Sequence, residues 1–333
     1  MFNSFGEQNI MCEKNWSKQI ERIFQMNKET IEREFGSQND IAFYSYYSRF
    51  FDNPNILKVF HPKFCKHILK VTNAKGKRVL DIGAGFGLIS IYLRIFGAKI
   101  FAVEIDPEKK AVFEKILKSL IPPLTDIEVR SGDALEIDFK EEQFDVIICS
   151  EVISHIKDLD LLLLKTNKAL RRGGFLYIRD CNNALNILQR QKNRNIWKRA
   201  ENRYKPLRRN IITAMLPDKG DALIDLLAEK TAGMYGDEIS QFVSEYLRQE
   251  QTTFRTNSTA RDPISGIYLE REFNPIVLAK KLHSFGFRSK TLRPFLLIDG
   301  RSPFVIFLAQ VIRLFHPLSL FASPTFEILA EKM

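Results

Sequence analysis

From Val71 onward the chain repeats one rhythm: a short run of apolar, often β-branched residues, then a longer segment with helical spacing of apolar positions. "RVLDI" (78–82) opens it as a strand, and "GLISIYLRIFG" has helical spacing that stops on a glycine. "KIFAVEI" is a second strand, after which Pro107 opens the helix "PEKKAVFEKILKSL" at a position that tolerates proline. "DIEVRSGD" and "FDVIICS" follow as strands three and four. The fourth is apolar on both faces, as a strand covered by helices on both sides must be. "LDLLLLKTNKALRRGG" predicts a helix terminated by Gly173 and Gly174, and "FLYIRD" a fifth strand. Strands joined by helices of this length pair in parallel through right-handed crossovers, so the fold class is α/β with a doubly wound sheet.

The rhythm stops at Cys181. Up to about Arg271 the pattern is polar and mostly helical ("ALNILQRQKNRNIWKRAENRY", "ALIDLLAEKTAGM", "GDEISQFVSEYLRQEQ"). Roughly 90 residues is too long for a plain connection, which predicts a helical insertion. Sheet-like rhythm returns with the helix "NPIVLAKKLHSFGF" and two closing strands, "RSKTLRPFLL" and "SPTFEILAEK", separated by a Phe-rich helix over 303–315. Helices carrying the aromatic cluster "FYSYYSRFF" precede everything. The expected division is an N-terminal helical segment or lid over 1–75, a core over 76–180, a helical cap over 181–272, and the remainder of the core over 273–333.

Composition adds three constraints. The length of 333 residues suffices for a large core, and the net charge of +10 favours anionic partners. Four scattered cysteines without a CxxC read as reduced thiols; Cys65 has only His61 and His67 nearby, so no metal site is expected. The N-terminus lacks the pattern of a signal peptide, and "PFVIFLAQVIRLFHPLSLF" is broken by Gln310, Arg313 and Pro317, short of a bilayer span. A soluble, cytoplasmic protein without a transmembrane segment is expected; its oligomeric state is not readable.

Candidate chemistry begins at "LDIGAGFG". Between a strand and a helix N-terminus, Gly83, Gly85 and Gly87 make a loop that an anion or a nucleotide can approach. The dinucleotide fingerprint G-x-G-x-x-G is not met, because Leu88 stands at its third glycine. Asp81, inside the strand end, suits S-adenosylmethionine (SAM), whose amino group is cationic. Glu104 closes strand two, where a carboxylate accepts from both ribose hydroxyls; NAD and SAM sites share this feature. Asp133 and Ala134, after strand three, stand where an adenine edge would lie.

"VLDIGAGFG", "VEIDPE", "SGDALEIDF", "FDVIICSEVISHI" and "ALRRGGFLYIRD" together resemble, in order and spacing, the class I (Rossmann-like, seven-stranded) SAM-dependent methyltransferases. The resemblance covers about residues 78–180 and returns over 274–333. It implies a mostly parallel sheet in the order 3-2-1-4-5-7-6, closed by an antiparallel strand, and SAM as the cofactor. It further implies Gly83, Ala84, Gly85 and Gly87 along the methionine moiety, Glu104 and Ile105 at the ribose, and Asp133 with Ala134 at the adenine. Cys149, Ser150 and Glu151 would lie beneath the sulfonium.

Acceptor residues are sought at the carboxyl ends of strands four and five. His155 and Asp180 are the candidate catalytic groups. Glu151, Asn182, Asn183, Tyr47 and Tyr268 are candidate acceptor contacts, with Glu270 beside them. Each has a structural alternative: His155 as a positioning residue, Asn182 and Asn183 as turn formers, the tyrosines as core. Between Leu188 and Asn210 nine Lys or Arg face one acid, Glu201, with Trp197 and Tyr204 interleaved. That pattern is read as a solvated helix with its Trp turned to the core, or else as a surface for an anionic partner. The expected function is methyl transfer to a small-molecule or glycan-type acceptor, O-methylation slightly favoured. The rivals are an RNA or protein methyltransferase using the basic insertion, an NAD(P)-dependent oxidoreductase, and a catalytically silent SAM-binding module.

Overall fold

A computed structural model of the chain describes residues 18–19, 60–248, 259–295, 311 and 315–333. Its strands are β1 (Arg78–Ile82), β2 (Lys99–Glu104), β3 (Glu128–Ser131), β4 (Phe144–Ser150), β5 (Leu170–Asp180), β6 (Phe287–Leu292) and β7 (Phe326–Lys332). They form one sheet in the order β3-β2-β1-β4-β5-β7-β6. The first five pair in parallel, and β7 runs antiparallel to both β5 and β6. This is the doubly wound, mostly parallel sheet and the strand order that the sequence led us to expect.

Alternation along the strands divides the core into two layers. Val79, Ala102, Ile148 and Tyr177 face helices α1 (His61–Thr72), α2 (Leu88–Ile95) and α3 (Pro107–Ser119). Leu80, Ile82, Ile147, Cys149 and Ile178 face the other way, toward α4 (Leu159–Ala169) and α8 (Pro275–His283). Successive strand residues point to opposite faces, so apolar runs such as "VIIC" fill both layers at once.

The chain between β5 and α8 carries α5 (Ile187–Met215), α6 (Asp221–Lys230) and α7 (Asp237–Leu247). They have an apolar centre of their own around Ile212, Leu227 and Phe242. Helix α9 (His316–Ala322) leads into β7.

One predicted boundary is corrected. The helix expected to stop on Gly173 and Gly174 ends at Ala169, and β5 begins at Leu170. The pairing of β4 with β5 shifts register between Phe144 and Val146, and Gly173 lies in the left-handed region (φ 72°). A Cβ on Gly174 would sit 2.8 Å from the carbonyl oxygens of Arg171 and Asp145. The glycine pair accommodates an irregular strand, where the backbone of β4 comes close, rather than a helix end. The Phe-rich helix over 303–315, "FYSYYSRFF" and Tyr47 lie largely or wholly outside the described residues.

Candidate active site

The described candidate groups of the core stand at or just beyond the carboxyl ends of β1, β2, β3, β4 and β5, where open α/β sheets bind ligands, and Tyr268 reaches the loop after β4 from the segment that precedes α8. Beyond β1, the amides of Gly83 and Ala84 donate to the Val103 carbonyl of the neighbouring strand at 2.8 and 3.0 Å. The three glycines have different neighbours. A Cβ on Gly83 would lie 2.2 Å from Val152 Cγ2, and one on Gly87 2.0 Å from the Phe113 ring. A Cβ on Gly85 would meet nothing within 4 Å. Packing therefore requires Gly83 and Gly87, while Gly85 (φ 58°) faces open space.

Glu104 shapes this loop directly. One carboxylate oxygen accepts from the Gly85 amide at 2.6 Å and the other from the Asp106 amide at 3.0 Å. Each oxygen keeps a second lone pair, so hydroxyls can still be accepted. Asp106 itself caps α3, accepting from the Glu108 and Lys109 amides. Asp81 is buried and accepts from the Ser90 hydroxyl at 2.6 Å. Burial pushes its carboxyl up to about 7, helped by nearby Glu104 and opposed by the Ser90 bond. Asp133 receives the Leu135 amide at 2.8 Å and lies 3.6 Å from Lys157 Nζ; Ala134 is buried and Ile105 half exposed at the rim. The Ser150 hydroxyl is buried without a hydrogen-bond partner at the end of β4. Open space over Gly85 and this orphaned hydroxyl fit a ligand lying across the loop.

A buried polar network joins the ends of β4 and β5. Glu151 has left-handed backbone (φ 58°); one oxygen pairs with Arg179 and the other accepts the Cys181 amide at 3.0 Å. Asp180 is fully buried, accepting from the amides of Ser154 and Asn182 and from Asn182 Nδ2. Burial, reinforced by the Glu151 charge, raises its pKa. Asn182 Nδ2 also donates to Glu270 at 2.6 Å, and Asn182 Oδ1 accepts from Asn193 of α5 at 2.9 Å. Asn183 is buried too, but its Nδ2 donates to the Leu320 and Ser323 carbonyls and so ties β5 to α9. Oxygens of Glu151 and Asp180 and the Cys181 sulfur lie within 4.8 Å of one another. Arg179 and backbone amides already engage those carboxylates.

His155 does not share a helical face with Glu151, because residues 151–156 form successive turns rather than a helix. Glu151 turns toward β5. His155 instead meets the returning cap segment, its Nδ1 lying 3.1 Å from the Tyr268 carbonyl. The Tyr268 ring is held between two guanidiniums, 4.5 Å from Arg261 and 4.4 Å from Arg271. Arg261 also lies over Tyr235 and Arg271 over Phe273, so rings and cations alternate from the cap to the core. Arg271 reinforces the β4–α4 loop through its amide, which donates to the Ser154 carbonyl at 3.1 Å.

Sequence reasoning missed Arg179, Arg261 and Arg271. Arg179 had a signal, a cation inside an otherwise apolar strand; the other two were indistinguishable from surface arginines.

Residues 80–178 match the family described as "Methyltransferase domain". The ubiquinone biosynthesis O-methyltransferase of Brucella ovis is 29% identical over 142 residues, covering 40% of this chain and 54% of that protein. Its counterpart in Rhizobium etli is 30% identical over 111 residues, 33% of this chain and 44% of that one. The chain thus spans about half the length of these curated relatives. Among solved structures, a SAM-dependent methyltransferase from Methanosarcina mazei has a TM-score of 0.45 at 14% identity, covering 80% of this chain and 97% of that one. One from Archaeoglobus fulgidus has 0.43 at 16%, covering 81% and 94%. The domain match identifies residues 80–178 as a methyltransferase domain, set in a sheet whose strand order is the one that the class I resemblance implies.

Proposed function

We propose that this chain transfers the methyl group of SAM to a hydroxyl of a small-molecule acceptor bound between the β4 and β5 ends and the cap. The observation that carries the reading is the His155 hydrogen bond. The Tyr268 carbonyl can only accept, so Nδ1 donates to it, which leaves Nε2 as the nitrogen that the neutral form would offer as a base. A neutral imidazole held in that tautomer is suited to take the proton of an acceptor hydroxyl, which is a poor nucleophile until it loses it.

SAM, when bound, supplies an electrophilic methyl group. The chain's own residues do the rest: Asp81 offers a buried carboxyl to a cationic amine, Glu104 orders the Gly85 amide and accepts hydroxyls, and Asp133 with Ala134 borders the adenine side. Glu151 and Asp180 fix the ends of β4 and β5, and Asn182 links them to the cap. Catalysis then depends mainly on holding acceptor and methyl group in line, which a well-fastened cap favours. The names of the Brucella and Rhizobium relatives point the same way, toward oxygen as the methylated atom.

The test is S-adenosylhomocysteine (SAH) release against a panel of phenols and catechols, with primary and secondary amines in parallel. Turnover is expected with hydroxyl acceptors. His155→Ala is expected to bind SAH like the parent while kcat falls by roughly 10²–10⁴, the range for a lost general base. Turnover confined to amines, or a His155→Ala variant as fast as the parent, would overturn the reading.

A further inference from the structure

The basic stretch singled out in the sequence is not used by the methyl-transfer site, and the structure shows what it presents. Gln189, Asn193, Trp197, Ala200, Tyr204 and Arg208 form the buried face of α5. Both aromatic residues of the stretch are thus turned inward, with Trp197 Nε1 donating to the Leu269 carbonyl at 2.7 Å. Lys192, Arg194, Lys198 and Arg199 are exposed on the opposite side. Among the described residues none of these four has a carboxylate within 4.0 Å. Along α5 itself the outward cations therefore have neither Trp197 nor Tyr204 beside them as a ring on which a nucleic-acid base could stack.

Apolar groups stand at one end of this stripe. Ile187 and Leu188, in the first turn of α5, are 78% and 81% exposed. Asn186, the preceding residue, donates to the Phe321 and Ala322 carbonyls, so the start of α5 abuts the end of α9. On α9, Ser319 and Leu320 are buried whereas Leu318 and Phe321 are more than half exposed, as is Phe315 at the N-cap. Leu318 and Phe321, three residues apart in the helix, share one outward face. Large apolar side chains thus stand at one corner of the molecule, bordered by cations that form no ion pair among the described residues.

We propose that this corner docks on an anionic lipid bilayer, with Ile187, Leu188, Leu318 and Phe321 entering the headgroup boundary and the α5 cations meeting lipid phosphates. An apolar group alone would suit many partners; the adjoining cations select a negative surface, and the inward aromatics disfavour RNA. Clusters of this size on an amphipathic helix bind acidic lipids, reversibly and in a salt-sensitive manner. This inference stands independently of the proposed O-methylation.

The full chain is sedimented with vesicles of equal phosphatidylglycerol and phosphatidylcholine, and separately with phosphatidylcholine alone. Two variants are compared, Ile187→Glu/Leu188→Glu and Lys192→Glu/Lys198→Glu/Arg199→Glu, with circular dichroism as the check on folding. The parent is expected to pellet with the acidic vesicles only and to be released by 0.5 M salt, on the scale of a Debye length of about 3–5 Å. Each variant is expected to bind at least tenfold more weakly. The proposal is overturned if the parent stays in the supernatant with acidic vesicles, or if both variants bind as it does. It is equally overturned if the apolar variant dissolves a concentration-dependent dimer, or if the charge variant loses tRNA binding while vesicle binding is unchanged.

Discussion

Asp81 links folding to pH through one buried side chain, and the proposed site adds the ligand to that link. Its carboxyl is raised to about 7 in the fold, so between roughly pH 4 and 7 the folded protein holds a proton that the unfolded chain has released. Stability from this group is therefore full below about pH 4, falls as pH rises, and is lowest above about pH 7. Asp81→Asn is expected to flatten that part of the dependence of Tm on pH. A cationic amine beside the carboxyl favours its ionised form, so SAH binding should release a proton. Affinity is then expected to rise toward pH 8 by at most about tenfold per pH unit, and to be flat in Asp81→Asn. Titration calorimetry at pH 6 and 8 reads this directly. Equal slopes in parent and variant would remove Asp81 from the amine side of the ligand.

At the scale of elements, the glycine loop separates packing from binding. Gly87→Ala drives a Cβ into the buried Phe113 ring, and its positive φ adds strain, so a large fall in Tm is expected. Gly85→Ala meets no protein atom, and its left-handed backbone costs only about 1–2 kcal/mol. It should fold, yet bind SAH at least tenfold more weakly, because its Cβ enters the space reserved for ligand. Thermal melts with and without SAH distinguish the two. The same scale explains what the sequence could tell. The strands of the core were legible because alternation and apolar runs record burial on two faces. The end of α4 was not, because Gly173 and Gly174 terminate a helix in most contexts and here relieve a crowded strand pair. The Glu151–His155 spacing suggested a shared helical face; residues with left-handed backbone and successive turns gave them separate partners.

Across the whole molecule, the helical character of the segment after β5 was legible but its fastening to the core was not. Tyr235, Arg261, Tyr268, Arg271 and Phe273 come together from segments whose spacing carries no period, so only the fold aligns them. The inward turn of Trp197 was legible, but that of Tyr204 was not, because the buried face they share on α5 also carries Gln189, Asn193 and Arg208. Vesicle sedimentation tests the surface left on the other side. The central claim, that this fold builds a SAM site and not a dinucleotide site, is tested most directly by titrating the chain with SAH and, in parallel, with NADH. The account predicts one SAH site per chain, weakened by about 1.5–3 kcal/mol in Glu104→Ala, the scale of a hydrogen bond to a charged group. Tight NADH binding by a folded protein that gives no response to SAH would contradict it.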